Sequence, residues 1–145
     1  MKSQEQIYCE SHLSEIDVDV FFEIDMTFIT SLVTRNYNRV YDTRLNVIDV
    51  KQKSRKRELV DIRKMVMYIV SFRPFKFAMG STLQVISYYF MLDHATTVYC
   101  NRTAPNLIYW DDNLKQVFLK TVKDLQEYAE LKKEVLYNEA DAVNV

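Results

Sequence analysis

The amino-acid sequence predicts an all-α protein, and three observations support this fold class. The 145 residues match the size of a single domain, which is usually about 100 to 150 residues. The chain holds only 1 Gly and 2 Pro, so it lacks the residues that tight β-hairpins and phosphate-binding loops require. Apolar residues recur at three- and four-residue steps, the period of amphipathic helices. These features argue against a β-sandwich, a dinucleotide-binding α/β fold and a P-loop ATPase.

The first twenty residues are predicted to form a separate acidic segment. Residues 1–25 carry one Lys against seven Asp and Glu. A short alternation of Ile16, Val18 and Val20 is compatible with a strand, a frayed end or a docking segment, and the pattern leaves these three open. The main domain is expected to span residues 21–130.

The first predicted helix of this domain runs from about Phe21 to Tyr41. Its apolar positions follow the helical period at Phe21, Ile24, Phe28, Leu32 and Val33. Residues 42–53 contain enough apolar side chains for one or two turns. They connect the first helix to the most basic part of the chain.

A basic helix is predicted from about Ser54 to Phe72, with Ser54 as its N-cap. One face is apolar, through Leu59, Ile62, Val66 and Ile69. The adjoining face is cationic, through Lys56, Arg57, Arg63 and Lys64. Residues 51–80 carry nine Lys and Arg against two acidic residues, although the net charge of the whole chain is −1. A basic middle between acidic ends points to an anionic ligand at one face, and a solvated helix face is the alternative.

A short helix is predicted after a break that Pro74 and Gly80 bracket. Proline and glycine are the residues that most strongly interrupt a helix. Ser81 or Thr82 can cap the new helix, which continues to about Phe90.

A second short helix follows a turn at Met91 and Leu92. Asp93 is a good N-cap, because its carboxylate can accept from backbone N–H groups two and three residues further on. This helix is predicted from His94 to about Thr103, with Pro105 ending the element.

The last predicted helix starts at Asp111 or Asp112 and covers about four turns. Its apolar positions are Leu114, Val117, Phe118, Val122, Leu125 and Tyr128. Residues 131–145 are predicted to be an acidic tail. Both acidic ends are also candidates for an intrachain contact with the basic helix.

The candidates for catalysis are few. His94 follows Asp93 directly, but neighbours in a helix point about 100° apart, so the carboxylate cannot easily orient the imidazole. His12 lies in the acidic segment, and Cys9 and Cys100 provide neither metal-ligand spacing nor a disulfide framework. We therefore predict a protein that is not an enzyme and that uses no cofactor or metal.

The two short helices have the pattern of a helix-turn-helix. Short polar residues at the start of the second helix suit one that enters the major groove, where its first turn must meet base edges. The residues in question are Asp93, His94, Ala95, Thr96 and Thr97. A helical hairpin in a bundle, with Thr96 and Thr97 merely exposed, is the alternative from the pattern alone.

Three stretches of residues 21–125 together resemble a known family. They read KSRKRELVDIRKMVMYIV, STLQVISYYF and DHATTVY. They resemble the C-terminal DNA-binding domain (domain IV) of the bacterial replication initiator DnaA, which has a helix-turn-helix of the Trp-repressor type. The shared features are a Ser-Arg-Lys-Arg-Glu start to the basic helix, an Arg eight residues after its first Arg, a Leu-x-x-Ile helix and an Asp-His-x-Thr element.

The resemblance implies a role for each matching residue. Contacts to bases are implied for Arg55, in the minor groove, and for Asp93, His94, Ala95 and Thr96. Contacts to phosphates are implied for Arg63, Lys64, Thr82, Leu83 and Gln84. We also predict phosphate contacts for Lys53, Lys56, Arg57 and Thr97. The chain departs from the family at Leu92 and Ser71, where the family has Arg and Lys, and in the spacing from Phe90 to Val98. The register of the recognition helix, and therefore the DNA sequence that is read, can differ from that of the family.

The resemblance implies a stand-alone, sequence-specific protein that binds double-stranded DNA at a replication origin or operator. Expected roles are replication initiation or transcription regulation, in a phage or mobile element. ATPase activity is not expected, because the single glycine cannot form a phosphate-binding loop. Expected partners are double-stranded DNA and replication proteins, without a membrane or small-molecule substrate, and the expected location is cytoplasmic and nucleoid-associated. The alternative function is a helix-turn-helix-derived protein-interaction module or a DNA mimic that no longer reads DNA.

Overall fold

The computed structural model describes residues 1–20 and 24–143, and this part of the chain is helical, without β-strands. Its helices are α1 (Gln4–Leu13), α2 (Met26–Tyr41), α3 (Val47–Lys51), α4 (Arg57–Ser71), α5 (Arg73–Met79), α6 (Leu83–Tyr89), α7 (His94–Trp110) and α8 (Asp112–Val143). A short 3-10 turn lies at Val18–Val20. The predicted all-α class is therefore confirmed. Phe21, which the periodicity placed in the first helix, lies outside the described residues.

The core lies where α2, α4, α7 and α8 pack together. Its centre is the middle of α4, where Val66, Met67 and Ile69 are completely buried. A buried polar contact joins α2 to α8: the amide of Asn36 on α2 donates to the Thr121 hydroxyl on α8 at 3.1 Å. The arrangement buries the apolar face of each long helix, which is the main source of stability for such helices.

The acidic N-terminal segment is a helix and belongs to the same core. Ser3 and Gln6 form a capping box, in which each side chain accepts from the other residue's backbone N–H. Cys9 and Leu13 are fully buried, and α1 packs on α7 and α8. The alternation at Ile16, Val18 and Val20 does not form a strand, because Val18–Val20 is a 3-10 turn, and Ile16 is buried.

The acidic side chains of this segment do not lie against the basic helix as considered above. Asp17 pairs with Lys133 on α8, and Glu15 accepts from the Gln126 amide at 3.1 Å. Glu5 accepts from the Trp110 indole at 3.0 Å. These partners lie on α7 and α8. The prediction that an acidic end contacts the basic helix was therefore wrong for these residues.

The boundaries of the first two long helices differ from the prediction. Asp25 caps α2 by accepting from the Phe28 N–H at 2.9 Å, so the helix begins at Met26 rather than at about residue 21. The basic helix α4 begins at Arg57, because Ser54 precedes it in an extended connection and its hydroxyl accepts from the Lys56 N–H, not from an N–H within the helix. Ser54 is therefore not the N-cap.

The predicted break between Pro74 and Gly80 is instead the helix α5. Pro74 lies in its first turn, where the missing N–H has no helical partner to lose. Gly80 ends the helix in the left-handed conformation with φ of 63°, which glycine adopts without steric cost.

The last two helices run further than predicted. Pro105 lies inside α7 instead of ending it, because Ala104 and Ile108 on either side are both 1% exposed and their packing offsets the lost hydrogen bond. Asp111 then accepts from the N–H groups of Asn113 and Leu114, which starts α8 at once. The predicted acidic tail is helical as far as Val143. Among the described residues, no helix is long and apolar enough to cross a bilayer.

Candidate nucleic-acid interface

The helix α6 starts with a side-chain cap, and its short connection to α7 is held from the interior. Thr82 caps α6 as predicted, with its hydroxyl accepting from the Val85 N–H at 3.2 Å. The turn passes through Met91, whose φ of 55° places a side-chain-bearing residue in the left-handed region. The hydroxyls of Ser87 on α6 and Thr97 on α7 then meet at 2.7 Å in the interior. These contacts set the angle at which α7 leaves the turn.

Asp93 caps α7 as predicted, with its Oδ1 accepting from the Thr96 N–H at 2.6 Å. Hydrogen bonds from the side chain and backbone of Thr96 hold the pKa of this carboxyl below its ordinary value. The carboxylate is therefore ionised at neutral pH and adds negative charge at the helix N-terminus, where it is favourable.

The residues predicted to read bases are accessible at the start of α7. His94, Ala95 and Thr96 are all exposed. Thr97, which was predicted to contact a phosphate, is a correction, because it is 0% exposed and its hydroxyl is shared between Ser87 and the Asp93 carbonyl. It supports the turn from inside and cannot reach a phosphate.

A cationic segment borders this turn. It comprises residues 51–56, in which Lys51, Lys53, Arg55 and Lys56 are exposed. A small groove is lined by residues 52–55 and Arg63 together with Phe90, Met91 and Leu92. The tertiary fold therefore brings the predicted contacts Lys53 and Arg55 next to the residues that lead into α7.

Arg63 is the main correction to the predicted phosphate contacts. It is 7% exposed, and its guanidinium donates to the carbonyls of Val50 at 2.8 Å, Gln52 at 3.0 Å and Ser54 at 2.6 Å. Burial lowers the pKa of Arg63, although an arginine remains charged in proteins. Nε and Nη2 are therefore committed to backbone carbonyls, so this buried side chain is held within the chain instead of extending to a phosphate.

Two other predicted phosphate contacts on α4 have different surroundings. Arg57 is exposed, but its guanidinium lies 3.7 Å from the Asp61 carboxylate, in a groove that Tyr37 and Asp111 also line. Burial raises the pKa of Asp61. The Lys64 ammonium instead lies 5.4 Å from the centre of the Tyr99 ring on α7, within the range of a cation–π contact. Lys64 is therefore on the side of α4 that faces α7, whereas Arg57 points towards the Asp61 groove.

The remaining predicted phosphate contacts lie at the start of α6. Thr82 and Gln84 are exposed and Leu83 is half-buried. The Val85 N–H is satisfied by Thr82, so the N–H groups before it are those that a phosphate could meet.

The prediction missed Tyr99 and Arg102, which continue the exposed face of α7. Tyr99 is 51% exposed, and the Arg102 guanidinium lies 5.6 Å from its ring centre on the surface. Both follow Thr96 at three-residue steps, so the helical period of α7 was the signal that could have found them. Lys51 was also missed, and its ammonium lies 4.2 Å from the Tyr89 ring centre.

Cys100 and His12, which were considered for catalysis, are engaged in packing. Cys100 is buried, and burial raises the pKa of its thiol, so it stays protonated at neutral pH. His12 is half-buried and meets the Tyr8 ring edge-on at 4.8 Å between ring centres. Within residues 1–20 and 24–143, no three His, Cys, Asp or Glu side chains come together as a metal-ligand set.

No family model, curated protein or solved structure matches this chain.

Proposed function

We propose that this protein binds double-stranded DNA sequence-specifically, with α6 and α7 as a helix-turn-helix of the Trp-repressor and DnaA type. It would act at a replication origin or operator without ATPase activity. The observation that carries the proposal is the groove that Lys53 and Arg55 line together with Met91 and Leu92. It places exposed cations beside the turn that leads into the accessible first residues of α7.

We assign affinity and sequence discrimination to different residues of this surface. Affinity comes from cations that displace counterions from the DNA backbone, and Lys53, Lys56 and Lys64 are the candidates for this role. Discrimination comes from Arg55 in the minor groove and from the first turn of α7 in the major groove. There His94 can meet a base edge, and Ala95 and Thr96 can contact thymine methyl groups.

The first experiment is selection of binding sites from random duplexes, followed by fluorescence anisotropy across a salt series. The double variant Lys53→Ala/Arg55→Ala should weaken binding to all duplexes and flatten the salt slope by about 1 for each cation removed. Lys120→Ala/Lys123→Ala is the matched control, because it removes the same charge from exposed positions on α8. Equal effects of the two double variants would mean that the cationic segment is not the binding surface.

The second experiment separates base reading from general affinity. His94→Ala should cost about 1–3 kcal/mol on the selected sequence and change binding to random duplex little, because a base contact contributes only at its own site. Equal losses on both duplexes would remove His94 from the base contacts.

A protein-interaction role is the second candidate, because α6 and the turn expose apolar side chains. Val85 is 46%, Tyr88 85% and Met91 67% exposed. Large exposed apolar residues that cluster on one face are typical of sites that bind another protein. A stable protein complex that is lost in Tyr88→Ala, together with no shift of any duplex at ~50 mM salt, would favour this candidate over DNA binding.

A further inference from the structure

We infer that Arg63 is a positioning residue, which holds the cationic segment of residues 51–56 in the conformation that meets DNA. This inference rests on the proposed function for its effect on binding, but the contacts that carry it are within the chain. Arg63 lies one and a half turns into α4, and its three carbonyl partners all lie on the segment that precedes this helix.

The first two of these contacts cap a helix. α3 ends at Lys51 with Gln52 as its C-cap, so the carbonyls of Val50 and Gln52 belong to the end of α3, where the last four carbonyls lack helical partners. A guanidinium there satisfies the carbonyls and complements the negative end of the helix dipole. Arg63 thus fixes where α3 stops and where the extended connection begins.

The third contact holds the connection itself. The Ser54 carbonyl accepts from Nη2 of Arg63 at 2.6 Å, and the same nitrogen donates to Gln52. Lys53 lies between these two anchored residues, and Arg55 directly follows the second. Both side chains are exposed. The buried guanidinium fork of Arg63 therefore holds the backbone, and the side chains of Lys53 and Arg55 project outward beside the turn at Met91.

A held segment should bind DNA better than a mobile one. Without the fork, the backbone of residues 52–55 gains conformational freedom, and binding must then order it again. Lys53 and Arg55 would still reach the DNA in the complex, so the number of counterions released would stay the same. Loss of Arg63 should therefore lower affinity at every salt concentration without changing the salt slope.

The difference between a guanidinium and an ammonium group distinguishes this role from direct phosphate contact. Lysine keeps the positive charge but has a single ammonium that cannot span three carbonyls in fixed geometry. If Arg63 acted through its charge on phosphate, Arg63→Lys would retain most of the binding. If it acts as a fork, Arg63→Lys should fail nearly as badly as Arg63→Met.

The experiment compares Arg63→Lys, Arg63→Met and Lys64→Met at a temperature at which circular dichroism shows all of them folded. Duplex affinity across a salt series is one readout. The other readout is the rate of limited trypsin cleavage after the Lys and Arg residues within 51–57. This measurement needs no DNA and reports on the conformational freedom of the segment. Both Arg63 variants should be cleaved faster than the unaltered protein and bind about 10- to 100-fold more weakly with parallel salt dependence. Lys64→Met should flatten the slope by about 1 and leave cleavage unchanged.

Three results would decide the matter. Cleavage and affinity like those of the unaltered protein in both Arg63 variants would overturn the inference. So would a flattened salt slope in Arg63→Met that Arg63→Lys restores, because that result assigns Arg63 to phosphate. Faster cleavage in both Arg63 variants, with no duplex bound even by the unaltered protein, would support the positioning contact and reject the proposed function.

Discussion

The hydroxyl oxygens of Ser87 and Thr97 lie 2.7 Å apart, and the two residues are only 2% and 0% exposed. They join the last turn of α6 to the first turn of α7 across the connection at Met91. Thr97 also donates to the Asp93 carbonyl, and since a hydroxyl has one proton, Ser87 is then the donor to Thr97. This pair determines how the exposed start of α7 is presented.

Removing the Thr97 hydroxyl should destabilise the fold. Thr97→Val keeps the shape but leaves the buried Ser87 hydroxyl without this partner, so we expect the free energy of unfolding to fall by about 1–3 kcal/mol. Urea denaturation of Thr97→Val, Ser87→Ala and the double variant measures the coupling. The two changes should be less than additive by about 1 kcal/mol. Strict additivity would show that the hydroxyls do not interact.

The cap at Asp93 should make the start of α7 sensitive to acid. Its carboxyl pKa is lowered in the folded state, first by the Thr96 side chain, so its stabilising effect is complete above the ordinary value for aspartate. The effect is lost as pH falls through the lower folded value. Thermal unfolding between about pH 2 and 5 should show a steeper loss in the unaltered protein than in Asp93→Asn, which caps without titrating. Identical profiles would mean that the cap does not contribute this dependence.

The left-handed backbone at Met91 should be a source of strain. A residue with a Cβ pays a steric cost of about 1–2 kcal/mol in this region, and glycine avoids it. Met91 is 67% exposed, so little buried area is lost on substitution. We expect Met91→Gly to raise the free energy of unfolding by up to about 1 kcal/mol, after the higher entropy of the unfolded glycine chain is subtracted. Met91→Ala is the control. An equal rise in the free energy of unfolding there would show that loss of the Met side chain, and not relief of backbone strain, causes the effect.

The end of α8 should divide into a structural part and a dispensable part. Ala129 is 1% exposed, and Tyr128 lies against Phe28 at 5.1 Å between ring centres. Ending the chain after Glu127 removes this packing and should lower the free energy of unfolding by about 2 kcal/mol or more. Ending it after Asn138 removes exposed described residues and should change stability by less than about 0.5 kcal/mol, as measured by chemical denaturation. A large loss for the shorter deletion would contradict this division.

The local features of the candidate site were predictable because they depend on neighbours in the chain. Thr82 and Asp93 each cap a helix by accepting from an N–H three residues further on, and that spacing is visible in the sequence. The capping box at Ser3 depends in the same way on residues three positions apart, and it marks the start of α1. The exposure of Tyr99 also follows from the helical period.

The features that failed depend on residues distant in the chain. The sequence by itself determined an all-α chain, a basic segment and two capped helices, because a helical period and a cap involve only residues within about one turn of each other. Only the tertiary structure decided that Arg63 is buried on carbonyls, that Thr97 is inside and that α7 continues through Pro105. In each of these cases the outcome depends on which groups from other elements surround the side chain, since a buried polar group must find a partner and a buried apolar face can offset a lost hydrogen bond.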